Sequence, residues 1–405
     1  MAAPMQIVGL ATPDDLTQSV LIKYNTAARF ANQALAAVLS KCQAGANTQE
    51  LCTLGDQILT ESTQAVYKTG VERGIAEPTT VNVNNALSSY SPMDSPYILQ
   101  IGDVVKVSLG AHIDGYTAKG CHTTVIAPIN AEGPLIAKPA NAIIAAYYAS
   151  EAVIKMLSAA NDSSIVTARK IRELVEEAAR TFHVTVVEGS KVRRIKRYLV
   201  GQARVEEDAL GADQPKQVEW HREVPGQPAF EDDEFVVEQG EAWLIDIAMS
   251  TGSGKVREHL TLRPTIYVRD ATVTYNLKLR AAQSTLREIQ STKSVFPFCL
   301  RSLSDQRTAR MGISECKTKG VVSEYPVLLE HPKETIARQA STLLLSKSGN
   351  SEAIRLTGGS AFALPWVKSE YEIETGSALD QYAQLASATR VKEVGIPAIG
   401  SSMEL

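Results

Sequence analysis

The feature that most constrains the fold of this chain is a repeated order of elements. Residues Gly102–Leu109 read glycine, acid, four strand-type residues, a polar residue and an aliphatic residue, and Gly240–Ile247 repeat that order. In both halves of the sequence two amphipathic helical segments accompany short β-rich runs. The repetition predicts two halves of the same topology, with Ser108 and Asp246 at equivalent places and facing each other across a pseudo-twofold axis.

The spacing of apolar residues predicts where the elements lie. A cap at Thr12-Pro13-Asp14-Asp15 opens a first helix that stops at Gly45. Further helices are predicted at 48–67, 141–158, 164–181 and from about 275, and strands at 79–83, 103–109, 123–126, 183–187, 242–248, 260–268 and 341–346. Little apolar periodicity follows, so residues 379–405 are predicted to form a peripheral tail.

Composition limits the class of protein. The 405 residues include 41 Lys and Arg against 45 Asp and Glu, which excludes a globally basic nucleic-acid binder and requires a local patch for any such role. Five cysteines without a CxxC pair predict neither a zinc finger nor a disulfide framework, which fits a reducing compartment. Neither a signal peptide nor a run of about 18 apolar residues is present, so no membrane partner is expected.

Several short motifs resemble those of one known family. Motifs similar to the active-site segments of type II methionine aminopeptidases occur in one order, at Gly74–Thr79, Val83–Asn85, Tyr90–Pro92, Val107–Gly115, Glu188–Gly189, Ile245–Ile247 and Thr342–Leu345. Further segments resemble a non-peptidase branch, the proliferation-associated and curved-DNA-binding proteins, at Phe296–Phe298, Ala309–Gly312, Glu315–Cys316 and Lys368–Glu370. Together the motifs identify the chain as similar to this branch over roughly residues 16–385.

The resemblance implies an α+β architecture, the pita-bread fold of creatinase and the aminopeptidases. In that fold two pseudo-symmetric αβ halves surround a curved antiparallel sheet. The implied single domain covers residues 1–378, with halves at about 12–135 and at about 136–274 plus 336–378. A helical insert is implied at about 275–335.

The resemblance also locates the two-metal site of the peptidases, which is held by two Asp, one His and two Glu. The corresponding residues here are Ser108, Lys119, Ser190, Asp246 and Ala340. The two histidines that contact substrate in the peptidases correspond to Ser89 and Tyr198. Divalent metals need anionic oxygens and neutral imidazole nitrogens, and a hydroxyl, a methyl group or an ammonium supplies neither. We therefore expect no peptidase activity, no metal and no other cofactor.

Two alternatives remain open at this site. Lys119 either pairs with Asp246, so that an ion pair replaces the metal charge, or extends its ammonium to solvent. A different metal site would have to use other ligands, and the spacing of the candidates fits no metal template; these are His112, Asp114, His122, Asp246, Glu258 and His259.

Two basic segments are candidates for the local patch. The first follows Gly189, on the rim of the former active-site face, and contains no acid; its cations are Lys191, Arg193, Arg194, Lys196, Arg197 and Arg204, and Tyr198 could stack on a base. The second lies in the insert among several acids and includes Arg287, Lys293, Arg301, Arg307, Arg310, Lys317 and Lys319. Each segment is either a phosphate-contacting surface or a solvated edge.

Members of the family that the sequence resembles dock at the peptide exit tunnel of the large ribosomal subunit, and others are linked to nuclear DNA or RNA. The resemblance therefore implies a non-catalytic factor, cytoplasmic and nuclear, in ribosome biogenesis or translation regulation. Its implied partners are the large ribosomal subunit, ribosomal RNA and tunnel-exit ribosomal proteins. The alternatives are a nuclear protein that binds curved DNA by backbone contacts and a residual metallo-aminopeptidase.

Overall fold

The computed structural model describes residues 16–128, 134–160, 165–198, 216–221, 235–345, 353–359, 362, 367–384 and 391–395. The α-helices in these ranges are α1 (Gln18–Lys41), α2 (Thr48–Ala65), α3 (Lys138–Ser158), α4 (Ala168–Thr181), α5 (Arg280–Thr292), α6 (Gln306–Thr318) and α7 (Ala378–Gln384), with a 3-10 helix at Leu300–Ser302. None of these described helices is both long enough and apolar enough to span a membrane.

The strands in the same ranges are β1 (Arg73–Val83), β2 (Ala86–Ser88), β3 (Val104–Ile113), β4 (Tyr116–Val125), β5 (Leu135–Ile136), β6 (Thr185–Val186), β7 (Lys191–Ile195), β8 (Gln217–Glu219), β9 (Ala242–Ser250), β10 (Arg257–Glu258), β11 (Ile266–Arg269), β12 (Phe298–Cys299), β13 (Val322–Tyr325), β14 (Leu328–Leu329), β15 (Ile336–Leu345), β16 (Ala353–Arg355), β17 (Val367–Lys368) and β18 (Val391–Glu393).

The main sheet has the strand order β1-β3-β4-β15-β9-β7-β8, and neighbouring strands along this order are antiparallel. Its centre is the contact between β4 and β15, where Cys121 lies opposite Ala340. A twofold rotation about that contact exchanges β3 with β9 and β1 with β7. Ser108 on β3 pairs with Cys121, and Asp246 on β9 pairs with Ala340, so the two residues occupy equivalent places on either side of the axis.

The turn before β3 is repeated before β9. Gly102 and Gly240 both have φ +91°, a left-handed conformation that glycine adopts without the steric cost of a Cβ. The N–H of Gly102 donates to Ile126 O at 2.8 Å, and the N–H of Gly240 donates to Leu345 O at 2.6 Å. Repeated backbone geometry at both turns supports the equivalence that the two sequence motifs predict.

The alternation of side chains on the central strands separates a core face from a site face. On β3, Val105, Val107 and Leu109 are fully buried in a core that α1 and α2 cover. On β9, Trp243 and Ile245 are fully buried in a second core that α3 and α4 cover. Because neighbouring residues of a strand point to opposite faces, the residues between these core positions face away from the helices. Ser108 and Asp246 are therefore on the same face, opposite both helical layers.

The insert forms a third core. Its helices α5 and α6 pack on each other and on a small sheet of order β12-β11-β13. The apolar side chains between them include Ile289, Phe298 and Ile313. Arg301 joins the insert to the first half, because its guanidinium donates to the Asp56 carboxylate at 2.6 and 2.9 Å.

The predicted start of the first helix is wrong. α1 begins at Gln18, and the Thr17 hydroxyl caps it by accepting the Val20 N–H at 3.4 Å. The predicted cap at Thr12-Pro13-Asp14-Asp15 lies outside the described residues. A second threonine with a helix-like sequence after it is therefore the cap that the fold uses.

The prediction of a peripheral tail is also wrong for the described part of residues 379–405. Leu379 is 1% exposed and lies in the core of the second half, and β18 adds to the main sheet by pairing with β16. Both elements are too short for their apolar periodicity to show in the sequence. The strand predicted from residue 260 begins only at Ile266, and Leu260 is exposed.

Candidate functional site

A cavity of about 280 Å³ lies on the face of the sheet opposite the helices. Residues from both halves line it, together with Pro297 and Ile266 from the region of the insert. Of the former metal and substrate positions, those in the wall are Ser89, Lys119, Ser190 and Asp246. Two side chains that were not predicted, Glu77 and Arg338, complete its charged floor.

Glu77 is the partner of Lys119. The Lys119 ammonium forms an ion pair with the Glu77 carboxylate, and the Ser108 hydroxyl donates to the same carboxylate. Burial by itself raises the pKa of Glu77, but the charges of Lys119 and Arg338 and the hydrogen bonds from Lys119 and Ser108 together hold the pKa below its ordinary value. The Lys119 side chain is 18% exposed, so both alternatives for Lys119, the pair with Asp246 and the extension to solvent, are wrong.

Gly110 makes the Glu77–Lys119 pair possible. In the register of the sheet, Gly110 on β3 lies opposite Glu77 on β1 and opposite Lys119 on β4. A Cβ added at Gly110 would come within 2.8 Å of Lys119 Cγ. The missing side chain therefore leaves the space through which Lys119 reaches Glu77 across an intervening strand.

A bulge in β1 directs Glu77 to the site. The register of β1 against β3 shifts on both sides of Glu77, between Ile75 and Thr80. Pro78 lies in this stretch and has no N–H to donate to the ladder, and proline within a strand usually marks a bulge or an edge. Pro78 is the sequence feature that marks the bulge and therefore the position of Glu77.

Asp246 is bound by Arg338 from the neighbouring strand. Arg338 Nε donates to Asp246 Oδ1 at 2.7 Å, and Arg338 Nη2 donates to Oδ2 at 2.6 Å. Burial raises the pKa of Asp246, but the charge and hydrogen bonds of Arg338, together with the charges of Lys119 and Lys191, hold the pKa below its ordinary value. Arg338 lies two residues before Ala340 on the same face of β15. A cation therefore lies beside Ala340, whose methyl group cannot bind a metal.

These contacts decide whether the donor set fits a two-metal centre. Asp246 is the one carboxylate among the predicted metal positions, and Arg338 binds both of its oxygens. A dication would have to displace that guanidinium and then lie beside the Lys119 ammonium. The donor set therefore does not fit two divalent metals.

The remaining former positions have structural contacts. The Ser190 hydroxyl donates to Ala248 O at 3.2 Å and accepts the Ala248 N–H at 3.0 Å, which ties the start of β7 to β9. The Tyr198 hydroxyl donates to Glu72 at 2.9 Å. Its ring packs against Gly115, where a Cβ would come within 2.7 Å of it. Tyr198 is therefore engaged within the fold, and its predicted stacking on a base would require these contacts to break.

The other candidate metal ligands are dispersed. His112 is buried and stacks on Phe296 with ring centroids 4.0 Å apart, and burial lowers its pKa to about 3. Asp114 accepts from Lys23 at 2.6 Å and forms an ion pair with Arg197. Within the described ranges no three His, Cys, Asp or Glu side chains are grouped so that they could hold a metal.

The first basic segment is not an exposed rim. Lys191–Ile195 form β7, between β9 and β8 in the main sheet, and this strand is absent from the predicted elements because its cations resemble a solvated loop in composition. Arg193 is buried, and Arg194 pairs with Glu241 at 3.3 Å. Lys191 lines the cavity. Arg204 lies outside the described residues.

The cations of the insert have two different environments. The Arg301 side chain is 9% exposed and pairs with Asp56, and Lys293 donates to Ser302 O at 3.1 Å. The cations on the surface of α5 and α6 are exposed, and some have acidic partners; they include Arg287, Arg307, Arg310 and Lys317. Lys319 Nζ lies 4.9 Å from the centre of the Tyr275 ring. The outer face of the insert is therefore the described region where the predicted patch remains accessible.

Several known proteins are similar to this chain in sequence. Residues 23–224 match the model of metallopeptidase family M24. The chain is 38% identical to "Probable metalloprotease arx1" of Schizosaccharomyces pombe, over 88% of this chain and 91% of that protein. It is 34% identical to "Proliferation-associated protein A" of Dictyostelium discoideum, over 89% and 87%.

Solved structures show the same fold. The solved structure of a thermophilic Arx1 superposes on this chain with a TM-score of 0.77 at 27% identity, over 91% of this chain and 98% of that one. A methionine aminopeptidase from Thermotoga maritima superposes with a TM-score of 0.51 at 14% identity, over 85% and 98%. The predicted α+β pita-bread fold is confirmed.

Proposed function

The chain belongs to metallopeptidase family M24, in the branch that contains Arx1 and the proliferation-associated proteins, and we propose that it has a non-catalytic role. In this proposal the protein binds the large ribosomal subunit, through ribosomal RNA near the peptide exit tunnel. It acts in ribosome biogenesis or translation regulation, in the cytoplasm and the nucleus.

The observation that carries the non-catalytic part is the pairing of the site carboxylates with cations of the chain itself. Metallopeptidase chemistry needs metal-bound water and an open coordination position. Lys119 and Arg338 instead neutralise Glu77 and Asp246 from within the sheet. The name of the fission yeast relative points to a residual metalloprotease, which is the competing function for the same cavity.

Metal content and peptide cleavage separate these two functions. Purified protein dialysed against cobalt or manganese is expected to contain no stoichiometric metal by elemental analysis. It is expected to leave Met-Ala peptides uncleaved at enzyme concentrations where an active aminopeptidase completes the reaction. About two metals per chain together with metal-stimulated cleavage would establish the peptidase and contradict the proposal.

The exposed cations of the insert support the nucleic-acid part. Arg280, Arg287 and Arg307 are exposed on α5 and α6, and they project from a compact subdomain that is anchored to the first half through Arg301. Cations that contact phosphates release condensed counterions, so the affinity for a polyanion should fall steeply with salt concentration. The ribosome is proposed as this polyanion because of the family to which the chain belongs.

Cosedimentation with large ribosomal subunits over a salt series tests this part. Arg280, Arg287 and Arg307 all changed to Glu should weaken binding at least tenfold and flatten its salt dependence. The matched control changes Arg169, Lys170 and Arg180 to Glu, which are also exposed helical cations but lie on α4 of the second half. Equal losses from both variants would mean that net charge, and not the insert, determines binding. Tighter binding to bent duplex DNA than to subunits would favour the DNA-binding alternative.

A further inference from the structure

One cation of the cavity differs from the others. Lys119 and Arg338 each have a carboxylate partner, whereas the Lys191 ammonium has no hydrogen bond or ion pair with any described residue. Its side chain nevertheless lines the cavity together with theirs. The surroundings desolvate its ammonium enough to lower its pKa.

The register of the sheet explains why Lys191 has no partner. Lys191 on β7 lies directly opposite Asp246 on β9 and Glu219 on β8, and directly opposite residues share one face of the sheet. Both oxygens of Asp246 are bound to Arg338. Glu219 lies 3.7 Å from His221 Nε2 and does not come within ion-pair distance of Lys191. A desolvated ammonium without a partner is costly, and an anion from outside would remove that cost.

Part of the wall of the same cavity is apolar. Aliphatic and ring carbons are contributed by Ala76, Pro78, Leu87, Ala248, Ile266 and Leu328. The cavity of about 280 Å³ has room for about nine water-sized volumes at ~30 Å³ each. These dimensions fit an anionic head with a short aliphatic tail.

We propose that this cavity binds a small organic carboxylate, which pairs with Lys191 through its oxygens and packs its aliphatic tail against Leu87, Ile266 and Leu328. The ligand is either a free carboxylic acid or the C-terminal carboxylate of a peptide with an aliphatic last residue. Either source presents the same chemistry to the site. The proposal goes beyond the ribosomal role and does not depend on it.

Ligand-observed NMR titration of the full chain tests the charge of the head group. Hexanoate should bind at least tenfold more tightly than hexanamide, which has the same shape and no charge. Hexylammonium is the opposite test, because Glu188 and Glu219 also line the cavity. Equal binding of hexanoate and hexanamide, or tighter binding of hexylammonium, overturns the proposal, and this contrast needs no variant to fold.

Substitution then tests the residue. Lys191→Met keeps the aliphatic stem and removes the charge, and it should reduce hexanoate affinity to that of hexanamide. Lys317→Met is the matched control at an exposed ammonium outside the cavity, and it should leave hexanoate binding unchanged. Hexanoate binding that survives in a folded Lys191→Met protein overturns the proposal.

Two peptides distinguish the sources of the carboxylate. A pentapeptide that ends in leucine is compared with its C-terminal amide in the same titration. Tighter binding of the free-acid peptide than of hexanoate supports a chain terminus as the ligand, since the remaining residues then add contacts outside the cavity. Binding of hexanoate without binding of either peptide supports a free carboxylic acid.

Discussion

The Arg338–Asp246 pair in the cavity and the Arg310–Asp94 pair at the insert have the same chemistry in different surroundings. Both are two-point contacts, at 2.7 and 2.6 Å in the first and at 2.6 and 3.1 Å in the second. The side chains of the first pair are 12% and 6% exposed, and those of the second are 45% and 69% exposed. Breaking the first pair is therefore costly because its charges are buried, whereas water can solvate both charges of the second pair.

The difference explains how one fold holds a neutralised cavity and an accessible basic surface. The Asp246 side chain is only 6% exposed, so its carboxylate is poorly solvated without its cation, and moving Arg338 away to meet an external polyanion is costly. Arg310 can exchange Asp94 for a phosphate at little cost, because both side chains are already solvated. Basic residues in the sheet and on the insert consequently differ in whether they can contact an external polyanion, although they are the same residue types.

The largest expected effect comes from breaking the buried pair. Arg338→Met leaves the Asp246 carboxylate uncompensated and should lower the free energy of unfolding by about 3–5 kcal/mol, measured by urea denaturation. Asp246→Leu added to Arg338→Met should restore much of this loss, because the two charges then leave together. A loss below about 1 kcal/mol in Arg338→Met would mean that Asp246 is hydrated, and the contrast between the two regions would fail.

A smaller effect is expected at the partly exposed pair in the same cavity. Lys119→Met removes the partner of Glu77 and should lower the free energy of unfolding by about 1–3 kcal/mol. The loss is smaller than for Arg338→Met because Glu77 keeps its bond from Ser108 and some contact with solvent. An unchanged unfolding midpoint in urea would show that the ion pair contributes nothing and that the Ser108 bond suffices.

The pH dependence of the stability of Lys119→Met tests whether the loss comes from the ion pair with Glu77. The folded-state pKa of Glu77 lies below its ordinary value of 4.5, so its contribution to stability is present above pH 4.5 and is lost as pH falls toward the folded pKa. Lys119→Met removes the largest of the interactions that lower this pKa. The destabilisation by Lys119→Met should therefore be smaller at pH 4 than at pH 7, by roughly 1 kcal/mol. If Lys119→Met lowers the free energy of unfolding by the same amount at both pH values, the effect of the substitution is due to packing.

The smallest effect is expected at the insert. Arg310→Met should change the free energy of unfolding by no more than ~0.5 kcal/mol, because the pair is exposed. The same urea measurement serves as the matched control for Arg338→Met. A loss comparable to that of Arg338→Met would remove the distinction between the two regions.

The sequence by itself determined the fold class, through the resemblance of its short motifs to a known family, and it predicted the loss of the metal ligands. Repeated glycine–acid turns and alternating apolar residues are local patterns, and each of them is complete within about ten residues. The α+β architecture followed from that resemblance, and the repeated turns predicted the equivalence of Ser108 and Asp246. Aligning short motifs likewise placed a lysine where a metal ligand would be.

Only the tertiary structure decided which cation meets which carboxylate. Glu77, Gly110 and Lys119 lie on three adjacent strands, and their contact depends on a bulge near Pro78 and on the register of two strand pairs. The burial of β7 depends in the same way on its place between β9 and β8, which composition does not reveal. Shifting a strand by one residue reverses every side chain between core and site, so partners across strands are fixed by the assembled sheet and not by any local pattern.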